Sequence, residues 1–183
     1  MGWRKYTSYA GVSEEEAKQV VEGFRKENPK LVALWELLDR SFRVAVGAEW
    51  DCELPSGRVM RYGKVRREVR HKKDSEGKLV PRFVYTGETS KSGYIARTEL
   101  YGGILTENLV QATARDILVY HLLEFEREGF NVIFHVHDEV IVEVEVDEGT
   151  DPKQIEGIMS RCPDWIPGLP LAAEAKLHDH YTK

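Results

Sequence analysis

At 183 residues and 21.0 kDa, the chain has the length of one ordinary domain and is short for two independent cores of typical size. Its composition, 42% hydrophobic and 31% charged, excludes disordered and collagen-like classes. A net charge of −5 excludes a generic basic coat for nucleic acid, so any such contact must come from a local basic patch. Cys52 and Cys162 are the only cysteines and form no CxxC pair, which excludes a disulfide framework and a cysteine zinc site. No apolar run reaches the roughly 18 residues of a membrane span, and the first residues have no secretory core, so a soluble, cytoplasmic protein is expected.

In chain order, Met1–Ala10 is aromatic and basic and shows no helix start of its own. Ser13 followed by Glu16 is a capping box, and Ala17, Val20, Val21 and Phe24 then repeat at helical spacing. Asn28-Pro29 closes this helix and opens another, whose apolar stripe is Leu31, Leu34, Trp35, Leu38 and Phe42. From Gly47 the period becomes two: Glu49–Leu54 and Val59–Tyr62 flank Pro55-Ser56-Gly57, the signature of a hairpin. A basic stretch follows through Arg58, Arg61, Lys64, Arg66, Arg67, Arg70, Lys72 and Lys73, relieved by Glu68. It reads equally well as a phosphate-binding patch and as a solvated surface hairpin. Leu79–Thr86 suggests a further strand despite Pro81, and Thr86–Gly93 reads as a loop.

A long helix is expected over about Glu99–Glu128, ended by Gly129 as a left-handed cap. On it Asn108, Gln111 and Arg115 fall at i, i+3 and i+7 and form one polar stripe, with Leu105, Leu109, Ala112 and Leu123 turned inward. Asn and Gln amides can reach minor-groove acceptors that are nearly the same on every base pair, but an ordinary solvated face has the same pattern. Asn131–Val136 and Val140–Val146 alternate with period two around His137-Asp138-Glu139, with Val132, Phe134 and Val136 expected on one buried face. Adjacent acids at such a tip are more stable beside a hard cation, although acids are also common in turns. A short helix over Pro152–Ser160, a connector over Pro163–Pro170 and a last strand over Leu171–Leu177 complete the chain.

The segment FHVHDEVIVEV resembles motif C of the family A DNA polymerases, in which a hydrophobic hairpin presents a His-Asp-Glu tip in the palm. Tyr101-Gly102-Gly103 with Glu107–Asp116 resembles the long palm helix of phage-type members, and Leu54–Arg58 resembles the hairpin between fingers and palm. Pro163-Asp164-Trp165, Gly168–Leu171 and Glu174 are similar to the closing segment, and Met1–Tyr6 to the tail of motif B. The resemblance implies an α+β fold: an antiparallel palm sheet with the motif C hairpin packed on the long helix, plus an N-terminal helix pair from the fingers. Residues 1–46 would be the fingers-derived segment and 47–183 the palm segment of one incomplete polymerase domain.

Motif A, with its first catalytic aspartate, and the Arg and Lys of motif B have no counterpart in this sequence. The resemblance therefore implies the C-terminal part of a DNA-directed DNA polymerase, as a fragment or as the product of a split or truncated gene. Asp138 is then the metal-ligating catalytic aspartate and Glu139 an acid near the primer end. His137, Gln111, Asn108, Arg115 and Arg58 are the DNA contacts, Arg58 having the best claim within the basic stretch. Mg²⁺ is expected only in the complete site. The implied partners are duplex primer-template DNA, a deoxynucleoside triphosphate and an upstream polymerase portion carrying motif A, with no membrane. One carboxylate cannot bridge two cations, so no synthesis is expected from the chain alone. Two other readings stay open: a non-catalytic DNA-binding remnant and, through His135-x-His137-Asp138, a His/Asp metallohydrolase.

Overall fold

A computed structural model describes residues 2–74, 76–91, 93–145 and 151–181. They form five helices and six strands, which divide into two compact units: 1–52 with 59–110, and 53–58 with 111–183. The α+β class read from the sequence is observed.

The first unit opens with α1 (Trp3–Ala10), a helix where the sequence suggested none. No side chain caps its start at Gly2. What secures it is the other end, where Gly11 takes φ 66° and donates to the Thr7 carbonyl, a left-handed cap that costs a glycine little. Trp3 also carries the Lys18 ammonium 4.6 Å from its ring centre, a tertiary contact that short-range patterns do not reveal.

Helix α2 (Glu14–Glu27) has the reciprocal capping box expected, with Ser13 Oγ accepting from the Glu16 N–H and the Glu16 carboxylate from the Ser13 N–H. Ala17 and Val21 are buried, and Phe24 stacks against Trp35. Pro29 stands at the first turn of α3 (Pro29–Val44), but the Asn28 side chain does not cap α3. Its amide donates instead to the Phe24 carbonyl and finishes α2.

Four strands follow as a meander in chain order: β1 (Trp50–Glu53), β2 (Val59–Lys73), β3 (Leu79–Lys91) and β4 (Tyr94–Glu99). The basic stretch is thus mostly strand. The expected loop over Thr86–Gly93 is strand as far as Lys91, because Thr86–Lys91 pairs with Tyr94–Glu99. Its small residues serve packing here: a Cβ on Gly87 would come 3.1 Å from Leu100 and 3.2 Å from Phe42. The core of this unit is Leu38, Phe42, Trp50, Tyr62, Val65, Leu100 and Leu105. Phe42 meets the rings of Trp50 and Tyr62 edge-on at 5.5 and 6.2 Å.

Helix α4 (Gly102–Arg127) starts in the first unit and continues into the second. It begins three residues later than expected because Glu99 belongs to β4. At its end Gly129, at φ 84°, lets the Phe130 N–H reach back to the Phe125 carbonyl, the long bond of a Schellman cap.

In the second unit Leu118, His121 and Phe125 form the buried face of α4, joined in the interior by Ile158 and Pro163. Leu123, expected inside, is 46% exposed because it falls off that face. Strands β5 (Asn131–Val136) and β6 (Glu139–Glu143) make the expected hairpin, and α5 (Pro152–Met159) follows, capped by Asp151. β6 starts one residue earlier than read from the sequence and stops at Glu143, short of Val144 and Glu145, and Val146 lies outside the described residues.

The single palm sheet is corrected in two respects. Among the described residues β5 and β6 pair only with each other, separate from the four-stranded sheet. Leu171–Leu177 forms no ladder, consistent with an Ala-, Glu- and Lys-rich run of weak strand formers. The N-terminal helix pair is likewise a set of three.

Candidate active site

The hairpin tip is a two-residue turn, His137-Asp138, because Glu139 already pairs with Val136. Two-residue hairpins need a positive φ at the first central position, and His137 supplies it at 53°. A histidine tolerates this region better than most residues but still carries strain. The turn leaves His137, Asp138 and Glu139 all exposed.

The strands below do not form the simple buried face that alternation suggested. A register shift between Val132 and Phe134 pairs Val132 with Val142 but Phe134 with Ile141. The extra residue, Ile133, breaks the phase, so Phe134 and Val136 share a face that Val132 does not. Ile133 and Phe134 remain 51% and 39% exposed. The C-terminal segment touches one side of the hairpin. Tyr181 meets Phe134 edge-on at 5.2 Å, and its hydroxyl stands 3.5 Å from Glu139 Oε2.

Arg115 extends from α4 to the hairpin, its guanidinium 3.3 and 3.1 Å from the two ring nitrogens of His135. A permanent cation against both nitrogens makes His135 a poor metal ligand. Among the described residues no three His, Cys, Asp or Glu side chains converge on a point where a metal could sit. Asp138 therefore offers a single carboxylate, and the residues present do not form a cage for Mg²⁺.

The helical stripe is less uniform than its spacing. Gln111 and Arg115 are exposed, whereas Asn108 is half-buried and gives one amide hydrogen to Tyr62 Oη at 2.8 Å. Burial pushes the Tyr62 phenol up from its ordinary range, against the smaller downward effect of this bond, so the hydroxyl stays protonated at neutral pH.

Arg58 is committed to α4. Its Nε lies 2.7 Å from Asp116 Oδ1 and its Nη2 donates to the Ala112 carbonyl at 3.0 Å. Ser56 donates to the same carboxylate. The Leu54–Arg58 turn is closed by the Arg58 carbonyl accepting from the Leu54 N–H and the Leu54 carbonyl from the Gly57 N–H, and is clamped on the helix. At the other end of α4 in this unit, Glu124 meets Arg127 and Arg161, and Arg161 also meets Glu128 at 2.5 Å. The Arg127 hydrogen bond, followed by Arg161, holds the Glu124 carboxyl below its ordinary value.

Sequence reasoning missed Tyr62, Asp116 and Tyr181. Asp116 carried a weak signal, since an acid one turn beyond Ala112 on a helix flanked by a basic stretch calls for a cation beside it. The other two depend on tertiary contacts with no local pattern.

No family model matches the chain, and no solved structure matches it. Among curated proteins, the DNA polymerase of Bacillus phage SP02 is 32% identical over 190 residues. The chain is similar to a phage DNA polymerase along almost its whole length. The likeness covers 94% of this chain and 28% of the polymerase, so the chain spans little more than a quarter of that relative. It is what the ordered motifs implied: a partial match to a phage polymerase. Among the described residues no helix is long and apolar enough to cross a membrane.

Proposed function

We propose that this chain is part of a family A DNA-directed DNA polymerase, contributing one catalytic carboxylate and the grip on the primer-template duplex. The observation that carries the proposal is the hairpin tip, which holds out the exposed Asp138 within a chain 32% identical to a phage polymerase across nearly its full length. A paired hairpin with a two-residue turn restricts where such an acid can go, as a site for nucleotidyl transfer requires.

In this reading Asp138 would be one of several ligands for a Mg²⁺ ion completed outside this chain, and the ion would supply charge neutralisation at the reacting phosphate. The other ligands would come from the upstream portion carrying motif A, from water and from the nucleotide phosphates. Glu139 would lie near the primer end, where the Tyr181 hydroxyl helps to fix its direction. His137 would touch the primer terminus. Gln111 and Arg115 would follow the minor groove by reaching acceptors common to all base pairs. Asn108 would present its remaining amide hydrogen and carbonyl from a direction fixed by Tyr62. Arg58 would act chiefly by locking the turn to α4, since two of its nitrogens are already engaged there. Residues 1–46 would belong to the fingers and 47–183 to the palm.

The test is primer extension by the chain alone and after mixing with a separately expressed upstream portion. Synthesis only in the mixture, abolished by Asp138→Ala, supports the reading. Inactivity of both with duplex binding intact supports a DNA-binding remnant, the second reading.

A further inference from the structure

The outer half of the β2–β3 hairpin is a two-stranded ribbon. Arg66–Lys73 pairs with Leu79–Thr86, whereas β4 pairs with β3 only from Thr86 onward. Residues 66–82 hold seven Lys and Arg against three Asp and Glu, in a chain whose total is −5.

The register sorts this charge onto faces, because directly opposed residues share a side of the sheet. Arg67, Val69, His71 and Lys73 stand on one face, opposite Tyr85, Phe83, Pro81 and Leu79. That face has no acid among these eight positions. Val69, Leu79 and Phe83 are 56%, 60% and 67% exposed, and the Arg67 guanidinium lies 4.8 Å from the Phe83 ring centre. The opposite face is different in kind. Val84 and Thr86 are buried there, and Arg70 and Lys72 pair with Glu68 and Glu99 at 3.3 and 2.5 Å. Among the described residues no carboxylate pairs with Arg67 or Lys73.

We propose that the face bearing Arg67, Val69, Lys73 and Phe83 binds single-stranded nucleic acid, stacking a base on Phe83 and holding phosphates with Arg67 and Lys73. Exposed aromatic surface alternating with unpaired cations is the combination that unstacked bases on a polyanionic backbone use. A guanidinium beside the ring extends the stacking platform. The cations span six residues of strand, about 20 Å, enough for several nucleotides. The proposal stands on the ribbon's own residues and survives if the polymerase reading fails.

The experiment is fluorescence anisotropy of the full chain with a labelled oligothymidylate of roughly 15 nucleotides, comfortably longer than one such site. Phe83→Leu keeps an apolar side chain suited to a strand but removes the π face, and is expected to weaken binding about 5- to 100-fold. Arg67→Gln with Lys73→Gln should reduce the slope of log affinity against log salt by about 1.4. Arg82→Gln removes a charge from the opposite face and should leave affinity within about twofold of the parent. Unchanged affinity in Phe83→Leu overturns the proposal, as does an equal loss in Arg82→Gln and Arg67→Gln, which would mean diffuse attraction. A duplex of the same length that binds as tightly with the same Phe83 dependence overturns it in favour of a double-stranded occupant.

Discussion

Gly102 and Gly103 open α4 side by side, and the structure separates their roles sharply. A Cβ on Gly102 would lie 2.1 Å from the Trp35 carbonyl oxygen, 2.8 Å from its carbon and 3.2 Å from Asp39 Cβ. Restoring ordinary contact at 3.4 Å requires α3 and the start of α4 to part by about 1.3 Å. The same movement stretches the bond from the Gly102 N–H to Asp39 Oδ1, now 3.2 Å. Overpacking of this kind costs about 1–3 kcal/mol, and the helix preference of alanine returns at most about 1 kcal/mol. Gly102→Ala should therefore destabilise by about 2 kcal/mol. A Cβ on Gly103 meets only the half-exposed Tyr101 ring at 3.1 Å, which can turn away. Gly103→Ala should be neutral, or more stable by up to about 1 kcal/mol. Urea unfolding followed by circular dichroism reads both: at a slope of about 2 kcal/mol/M, Gly102→Ala lowers the midpoint by about 1 M. An unchanged midpoint for Gly102→Ala, or an equal loss for Gly103→Ala, would show that the close approach does not constrain the helix.

Asp116→Ala leaves Arg58 and Ser56 without their shared acceptor and should cost about 1–2 kcal/mol, discounted because Arg58 is half exposed; a double-mutant cycle with Arg58→Ala that shows no coupling would contradict the clamp. Tyr62→Phe deletes the acceptor of a half-buried amide and should cost about 1 kcal/mol by the same urea assay, an unchanged midpoint counting against the bond. The folded-state value of Glu124 is depressed, so its contribution is present above the ordinary value of 4.5 and lost as pH falls through the folded value. Stability should therefore decline on acidification below about pH 4.5. Glu124→Gln should flatten that decline, and an identical pH profile would remove this network as its cause.

The elements legible in the sequence were those fixed by local chemistry. The Ser13/Glu16 box, the Pro55–Gly57 turn, the Gly129 cap and the β5–β6 hairpin each depend on residues a few positions apart. What escaped depends on distant partners. Helix α1 relies on Lys18 over Trp3, and Gly87 reads as loop until Phe42 and Leu100 pack against it. The Ile133 bulge has no marker in an unbroken apolar run, so alternation gave Phe134 a buried face that it does not have. At the candidate site the acidic tip could be read directly, because an acid in the turn followed by another at the first position of the next strand is a local pattern. The engagement of Asn108 by Tyr62 and of Arg58 by Asp116 could not, since the partners lie 46 and 58 residues away.

The most direct measurement is the single-turnover rate of nucleotide incorporation by the chain combined with the upstream polymerase portion that the proposal requires, comparing Asp138→Asn with Glu139→Gln at saturating DNA. If the turn presents Asp138 to the metal, Asp138→Asn should slow incorporation by about a thousandfold or more with duplex affinity unchanged, and Glu139→Gln by about tenfold or less. Equal rates for parent and Asp138→Asn, or a greater loss from Glu139→Gln, would contradict the assignment.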